Sequence, residues 1–404
     1  MSFAANHSRF AFQIPSLGDE VRVVSFCYQG AISMPYEGTL EVACERRDLP
    51  LKSLLGKAAV LTLFDQQYPR HIHGEMVSLA QGSIGKRFTT YFVTLRPKLW
   101  LLDMRSGMRI FQDQSVQEIV TQVLEDAGVK GNDLRWQLGG NPKKREYCAQ
   151  YRESDLGFIN RLLTEEGMFY FFEQRLDGHT LVIADANSAF QTMAGKASLP
   201  YQPRSGMVSD EESIYEFYTD RQLQSGAVAL RDYNFAKPTT RLAVNETSDP
   251  FAALQHYRYP GHFQGSAQGQ AYVRSQLLGQ QVQVATVQAQ SDCMRLQEAN
   301  RFTLAGHGNQ DCNQEYVVTG VQMQGKQPQV LEEGASAEGS GFDVQLQAVP
   351  ATVQYKPPAT LSRPRVSGVQ TALVTGPAGE EIYTDRFGRI KVQFHWDREG
   401  KRDE

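Results

Sequence analysis

Between Val21 and Leu95 the chain is a succession of short runs in which apolar and polar positions alternate or apolar residues cluster: VRVVSFCY, TLEVAC, AAVLTLF, HGEMVSLA and FTTYFVTL. Each run is rich in β-branched and aromatic residues and is set off by Gly, Pro or polar breaks, as strands joined by turns are. Several short strands at this spacing predict a closed or nearly closed barrel, which leaves no unpaired edge. Pro97, which has no amide donor, ends the last of them.

The period changes at Ser115. Ser115 and Glu118 form an S-x-x-E capping box, and Val116, Ile119, Val120, Val123, Leu124 and Ala127 follow at helical spacing, with Gly128 suited to the C′ position. Glu146 to Phe172 reads as strand, helix, strand: Ser154 is the N-cap, Phe158, Ile159, Leu162 and Leu163 the buried stripe, and Gly167 the stop. From Leu181 to about Gln347 the strand pattern returns in LVIAD, AVALRDY, TRLAV, VQVATVQAQ, EYVVTGVQM and FDVQLQAV. One interruption, Ala267 to Gln280, predicts a helix with Ala267, Ala271, Ser275 and Leu278 on one face. Gln327 to Gly341 reads as a surface loop, and the Pro-rich Gln354 to Gly368 as a linker.

Near the end, Ile390, Val392, Phe394 and Trp396 alternate with Lys391, Gln393 and His395, the period of a half-buried strand. Asp385-Arg386-Phe387-Gly388 supplies the turn before it. An isolated hairpin is marginal in water, so little order is expected after about Gln370 unless further strands cover its aromatic face.

Bulk properties narrow the class. At about 150 residues per domain, 404 residues suggest two to three domains. Charged residues make up 21% and hydrophobic ones 41%, the balance of a folded globular chain. The 41 basic and 45 acidic residues are interspersed and give a net charge of -4, so no nucleic-acid footprint is expected. Five dispersed cysteines without a CxxC predict reduced, mostly buried thiols. The first residues lack the charged and apolar regions of a signal peptide, and no run approaches the roughly 18 apolar residues of a membrane span. The expected site of synthesis and folding is the cytoplasm.

Candidate chemistry is sparse. His71 and His73 fall on one side of a strand, as metal ligands can, but no third ligand accompanies them; a packed or surface pair is the alternative. Glu165-Glu166 could be paired carboxylates, yet adjacent helix positions diverge by about 100°, and acids at a helix end are usually solvated. Gly82 to Arg87 (GSIGKR) lacks the spacing and hydroxyl of a phosphate loop and reads as a hairpin loop. Gly306 to Asn313 reads as a turn rather than a site. Phe387, Phe394 and Trp396 could form a stacking platform for sugars or bases, against which stands plain packing or a subunit contact. Catalytic, metal and cofactor residues: none are expected, and the chain reads as a non-enzyme.

Two segments carry a family resemblance. EIYTDRFGRIKVQFHWDREGKRDE, from Glu381 to Glu404, resembles the start of the OB-fold domain of VgrG proteins, the tip spikes of type VI secretion systems and relatives of the phage-tail baseplate hub. Glu146 to Phe172 resembles the VgrG and phage late-control D pattern, and LRDYNF and YRYPG also match in the family's order. The resemblance implies a mainly β fold with an α+β insert, in tandem hub barrels followed by the start of an OB-fold. It divides the chain into a first barrel (1–110), a two-helix α/β insert (111–175), a second barrel with a helical insertion (176–350), a linker (351–370) and an incomplete OB-fold neck (371–404). It also implies a homotrimer that docks on the Hcp tube hexamer. A PAAR-type tip protein and effectors or adaptors would be held through a region beyond Glu404, and the target membrane met transiently. Such a protein would be secreted through the type VI machine. Phe387, Ile390, Val392, Phe394 and Trp396 would then be packing or interface residues. Alternatives are a prophage baseplate hub, an enzyme domain fused beyond Glu404, and a carbohydrate-binding β protein.

Overall fold

The computed structural model describes residues 9–17, 21–65, 68–204, 211–248, 251–331, 341–358, 363–380 and 382–400. In chain order, the first strands are β1 (Phe10–Gln13), β2 (Val21–Ala31), β3 (Met34–Cys44), β4 (Ala58–Leu63), β5 (Arg70–Ile84) and β6 (Thr89–Arg96), with the short helix α1 (Leu51–Leu54) before β4. Next come β7 (Ser106–Ser115), α2 (Val116–Asp126), β8 (Leu134–Gln137), β9 (Lys144–Ser154), α3 (Asp155–Glu165), β10 (Phe169–Gln174) and β11 (His179–Ala184). Then follow β12 (Gln191–Thr192), β13 (Ser198–Pro200), β14 (Ile214–Arg221), β15 (Ala227–Asp232), β16 (Leu242–Thr247), β17 (Gln255–Arg258) and α4 (Ser266–Gln281). The last are β18 (Ala285–Ser291), β19 (Asn300–Ala305), β20 (Glu315–Lys326), β21 (Gly341–Pro350), β22 (Ala372–Thr375) and β23 (Lys391–Phe394). These elements fall into two units: Met1–Lys98 with Gly131–Gly139 and Gly167–Ala359, and Leu99–Lys130 with Gly140–Glu166 and Thr360–Glu404.

In the first unit, strands β1-β4-β5-β6-β3-β2 form a sheet that closes on itself through the pairing of β1 with β2. This is the predicted barrel. The alternation that fills it is not uniform along β2. Val21 and Val23 point inward, a bulge inserts Val24, and Phe26 and Tyr28 then take the inward positions one step out of phase. From β2 the same sheet runs on through β20, β21 and β18 to β14. Within β20, Val321, Met323 and Gly325 face inward while Gln322, Gln324 and Lys326 face out. Gly325 has to be glycine: a Cβ there would lie 2.2 Å from the Phe26 ring and 2.8 Å from the Phe10 ring. Those rings pack edge to face at 4.9 Å.

Two smaller sheets complete this unit. β10-β11-β8 buries Phe169, Phe171, Val182 and Ala184 against Phe190, Val317 and Tyr355. β16-β15-β17 packs Val228, Leu230 and Leu242 on α4. The face of α4 differs from the expected one. Tyr272, Val273 and Leu277 are buried, whereas Ala267 and Ala271 are exposed, because the larger side chains rather than the alanines supply apolar area. The helix also extends to Gln281, so VQVATVQAQ becomes a strand only from Ala285. Strands β1, β7, β8, β12, β13, β14, β17 and β19 were not anticipated from the pattern, β8 lying in a stretch that reads as a polar loop. Most of the loop predicted over Gln327 to Gly341 and part of the linker lie outside the described residues.

In the second unit, the capping box is present in full: Ser115 Oγ accepts from Glu118 N, and Glu118 Oε2 accepts from Ser115 N. Val116, Ile119, Val120, Val123 and Leu124 are buried. Ser154 caps α3 by accepting from Gly157 N at 3.0 Å, and Phe158, Ile159, Leu162 and Leu163 are buried as predicted. Strands β7 and β9 pair antiparallel, and Phe111 stacks on Phe158 with centroids 5.6 Å apart. The chain ends in a hairpin: β22 and β23 pair antiparallel from Ala372↔Phe394 to Thr375↔Lys391, so the stretch after Gln370 has more structure than its sequence suggests.

Candidate interaction surfaces

The terminal hairpin carries the five residues singled out in the sequence, and it divides them. Gly388, at φ +74°, lets the turn close, with Gly388 N donating to Asp385 O at 3.0 Å. The Asp385 carboxylate accepts from the amides of Phe387 and Arg389 and from Arg389 Nε. These bonds, that from the Arg389 amide foremost, hold its acid below the usual carboxylate range. The guanidinium groups of Arg386 and Arg389 lie over the Phe387 ring, at 4.7 and 5.4 Å. Phe394 and Trp396 are half-buried and stack at 5.0 Å with their planes 11° apart. Trp396 also meets the Tyr151 ring edge-on at 5.7 Å, and its Nε1 donates to Gln370 Oε1 at 2.9 Å. Phe387, Ile390 and Val392 are exposed, as are Leu373, Val374, Ile382 and Tyr383 on the same hairpin and its approach. Val374 and Val392 are cross-strand partners, and Ile390 lies two residues before Val392.

The histidines and acids weighed as chemistry find structural partners. His71 Nδ1 lies 3.1 Å from Thr62 Oγ1. His73 Nδ1 lies 3.2 Å from Nδ1 of His179, whose Nδ1 is also 3.2 Å from Tyr36 Oη, so the two imidazoles form a pair within the fold. Burial disfavours the charged form of both: His73 titrates below its ordinary value and His179 at about 3. Glu165 and Glu166 are not the solvated acids expected of a helix end. Glu165 receives Arg145 at 2.7 Å, Arg161 at 3.3 Å and Arg363 at 2.8 Å, while Glu166 receives Arg145 at 2.6 Å. Burial alone would raise the Glu165 acid, yet Arg145 and Arg363 bring it below its ordinary value. Among the described residues, no group of three or more His, Cys, Asp or Glu is placed to hold a metal ion. All five cysteines are free thiols, four of them buried. The hairpin loop expected over Gly82 to Arg87 is shorter, since Gly82 to Ile84 end β5 and Gly85 to Phe88 join it to β6, with Gly85 N donating to Phe88 O; Gly306 to Asn313 is a turn tied by Asn313 to His307.

Sequence reasoning missed a buried charge cluster. Tyr28, Arg70 and Glu298 meet inside the first unit, with the Arg70 guanidinium 5.2 Å from the Tyr28 ring centre and 3.9 Å from Glu298 Oε2. Tyr28 and Arg70 come from β2 and β5 and Glu298 from the turn before β19, so no local spacing announces them.

A closed barrel whose sheet continues into further strands, with two capped helices in the second unit, defines a mainly β fold. The phage tail baseplate hub (GPD) family matches residues 29–329, and the chain belongs to that family. Among its relatives is the type VI secretion system spike protein VgrG1b of Pseudomonas aeruginosa, 38% identical over 92% of this chain and 50% of the relative. VgrG5 of the same organism is 37% identical over 99% of this chain and 52% of the relative. The chain thus spans about half the length of the curated relatives it matches. Among solved structures, an Escherichia coli type VI secretion component, described as similar to the T4 tail proteins gp27 and gp5, superposes with a TM-score of 0.72. It is 20% identical, with 95% of this chain and 88% of that chain covered.

Proposed function

We propose that this chain is the hub portion of a type VI secretion spike, a non-enzymatic trimer that seats on the Hcp tube and carries a tip and effectors into a target cell. The observation that carries the reading is the alignment with spike proteins through nearly the whole of this chain, at 37% identity for VgrG5. The same relatives favour the secretion machine over a prophage baseplate hub, although the family itself takes its description from phage tails.

Within this proposal, residues 1–110 and 176–350 are the two hub barrels, 111–175 the insert between them, 351–370 a linker and 371–404 the start of an OB-fold neck. Three copies of two related barrels offer six quasi-equivalent surfaces, which suits a hexameric tube. PAAR-type tip and effector partners attach beyond the neck, the target membrane is met only in passing, and no nucleic acid is bound. The protein is folded in the cytoplasm and leaves through the secretion machine. On this reading the exposed residues Phe387, Ile390 and Val392 are covered by OB-fold strands or a neighbouring protomer.

Light scattering after gel filtration tests the assembly. A mass near three times the 45.3 kDa of one chain is expected, at least once the neck is complete. A monomer both in this form and in one extended through the whole neck would overturn the trimer. Co-purification with an Hcp hexamer, rather than with a phage tube protein, separates the two machines.

A further inference from the structure

The outward face of the sheet that continues from the barrel is lined by amides in register. One row crosses six strands as Glu37, Gln29, Gln322, Gln345, Gln290 and Glu216, each paired with the next. The adjoining row runs Met34, Ala31, Gly320, Gln347, Gln288 and Tyr218. The small residues Ala31 and Gly320 at the middle of the second row lower the floor. The result is a depression of about 560 Å³ whose lining includes six glutamines, together with Met34 and Pro35. That volume lies in the range of small-molecule sites, roughly 300–1,000 Å³.

The lining selects a chemistry. Among the described residues, the amides of Gln29, Gln288, Gln290, Gln345 and Gln347 make no side-chain hydrogen bond, so both their donors and their acceptors are available. The charged groups at the margin are already engaged: Arg96 donates to Glu37, and Tyr218 Oη donates to Glu216 at 2.9 Å. A polyanion finds no cation to attract it there, and an apolar ligand would strip water from amides without replacing its hydrogen bonds. A neutral polyhydroxylated ligand satisfies donors and acceptors together. The Tyr218 ring, 59% exposed at the end of the second row, adds a flat apolar face on which a sugar ring can lie. The amides lie on the face of the sheet, where a peptide cannot extend the ladder as it does along an edge.

We propose that the depression framed by Gln29, Gln322, Gln345, Gln347 and Gln288, with Tyr218 at its end, binds a neutral oligosaccharide.

The test is titration of the full chain, as it assembles, with maltohexaose, cellohexaose and chitohexaose by calorimetry and saturation-transfer NMR. Saturable binding of at least one of them is expected, with a Kd of about 0.1–5 mM for so open a site. Gln345→Ala and Tyr218→Ala, both at exposed positions, should each weaken it by about three- to tenfold. Gly320→Gln should abolish it by filling the floor; its Cβ has ordinary contacts, the nearest being Ala31 Cβ at 3.5 Å, so the fold should persist. An unchanged thermal midpoint in these variants assigns the loss to the site. No saturable binding of any of the three sugars at about 20 mM would overturn the proposal. So would binding indifferent to all three substitutions, or displacement from this face by a neutral Gly-Ser-Asn repeat peptide with higher affinity than any sugar.

Discussion

Tyr28 Oη donates to Glu298 Oε1 at 2.6 Å, joining two fully buried side chains 270 residues apart in the chain. Arg70 lies between them in charge: it faces Glu298, donates to the Leu296 carbonyl, and places its guanidinium by the Tyr28 ring. Burial, together with the Glu298 carboxylate, drives the Tyr28 phenol well above its ordinary value, so the tyrosine is a donor at any working pH. Removing the two partners should not cost the same. Tyr28→Phe loses one hydrogen bond to a charged acceptor, about 1.5–3 kcal/mol. Glu298→Ala leaves a buried guanidinium without its counter-ion, about 3–5 kcal/mol. Urea unfolding followed by tryptophan fluorescence should rank Glu298→Ala as the more destabilised; the reverse order would mean that Arg70 finds another anion.

The imidazole pair of His73 and His179 makes stability depend on pH in a defined direction. Both titrate below their ordinary value in the folded protein, His179 at about 3, so between that value and about 6.5 the unfolded chain binds protons that the folded chain refuses. Their contribution is therefore fully present above about pH 6.5 and is lost as pH falls through the window below it. The slope is up to roughly 1.4 kcal/mol per pH unit for each proton. Urea midpoints measured from pH 7.5 to 5 should fall in the wild type and fall less steeply in His179→Asn. Equal slopes would place the acid sensitivity elsewhere.

Gly325→Ala tests the approach of β20 to the barrel rings. The new methyl would sit within 3 Å of both Phe26 and Phe10, and one ring has to leave its position. Overpacking of this kind costs about 1–3 kcal/mol. A lowered thermal midpoint is expected, partly restored by Phe26→Leu, which opens the space; no restoration would show that the backbone, not the ring, resists.

Local pattern carried much of this fold. The runs from Val21 to Leu95 became β2 to β6, and the caps at Ser115 and Ser154 and the stripes of α2 and α3 are where their spacing puts them. What escaped was decided at long range. Strand β14 carries polar residues along its outer half because it borders an amide-lined face, so it lacks the apolar run by which strands are recognised. The α4 face was misread because a helix rich in Gln and Ala gives little contrast between its sides. His73 shows the same limit, for its partner His179 lies 106 residues away. The terminal stretch was legible as strand and turn, but its alternation did not reveal that Phe394 and Trp396 would find cover while Ile390 and Val392 would not.

That division yields opposite expectations for two substitutions on one strand and its approach. Trp396→Ala removes the stack on Phe394, the edge contact with Tyr151 and the hydrogen bond to Gln370, which together hold the hairpin. An aromatic pair contributes about 0.5–1.5 kcal/mol beyond its buried area. Amide hydrogen exchange across Ala372–Thr375 and Lys391–Phe394 should therefore accelerate in the isolated chain. Ile390 is 53% exposed, so Ile390→Ser should leave that exchange unchanged. If the exposed strip is an interface, the same Ile390→Ser should lower the trimer fraction seen by light scattering in a chain extended through the neck. Faster exchange in Ile390→Ser, with assembly intact, would instead make Ile390 part of the hairpin's own packing and leave the strip without a partner.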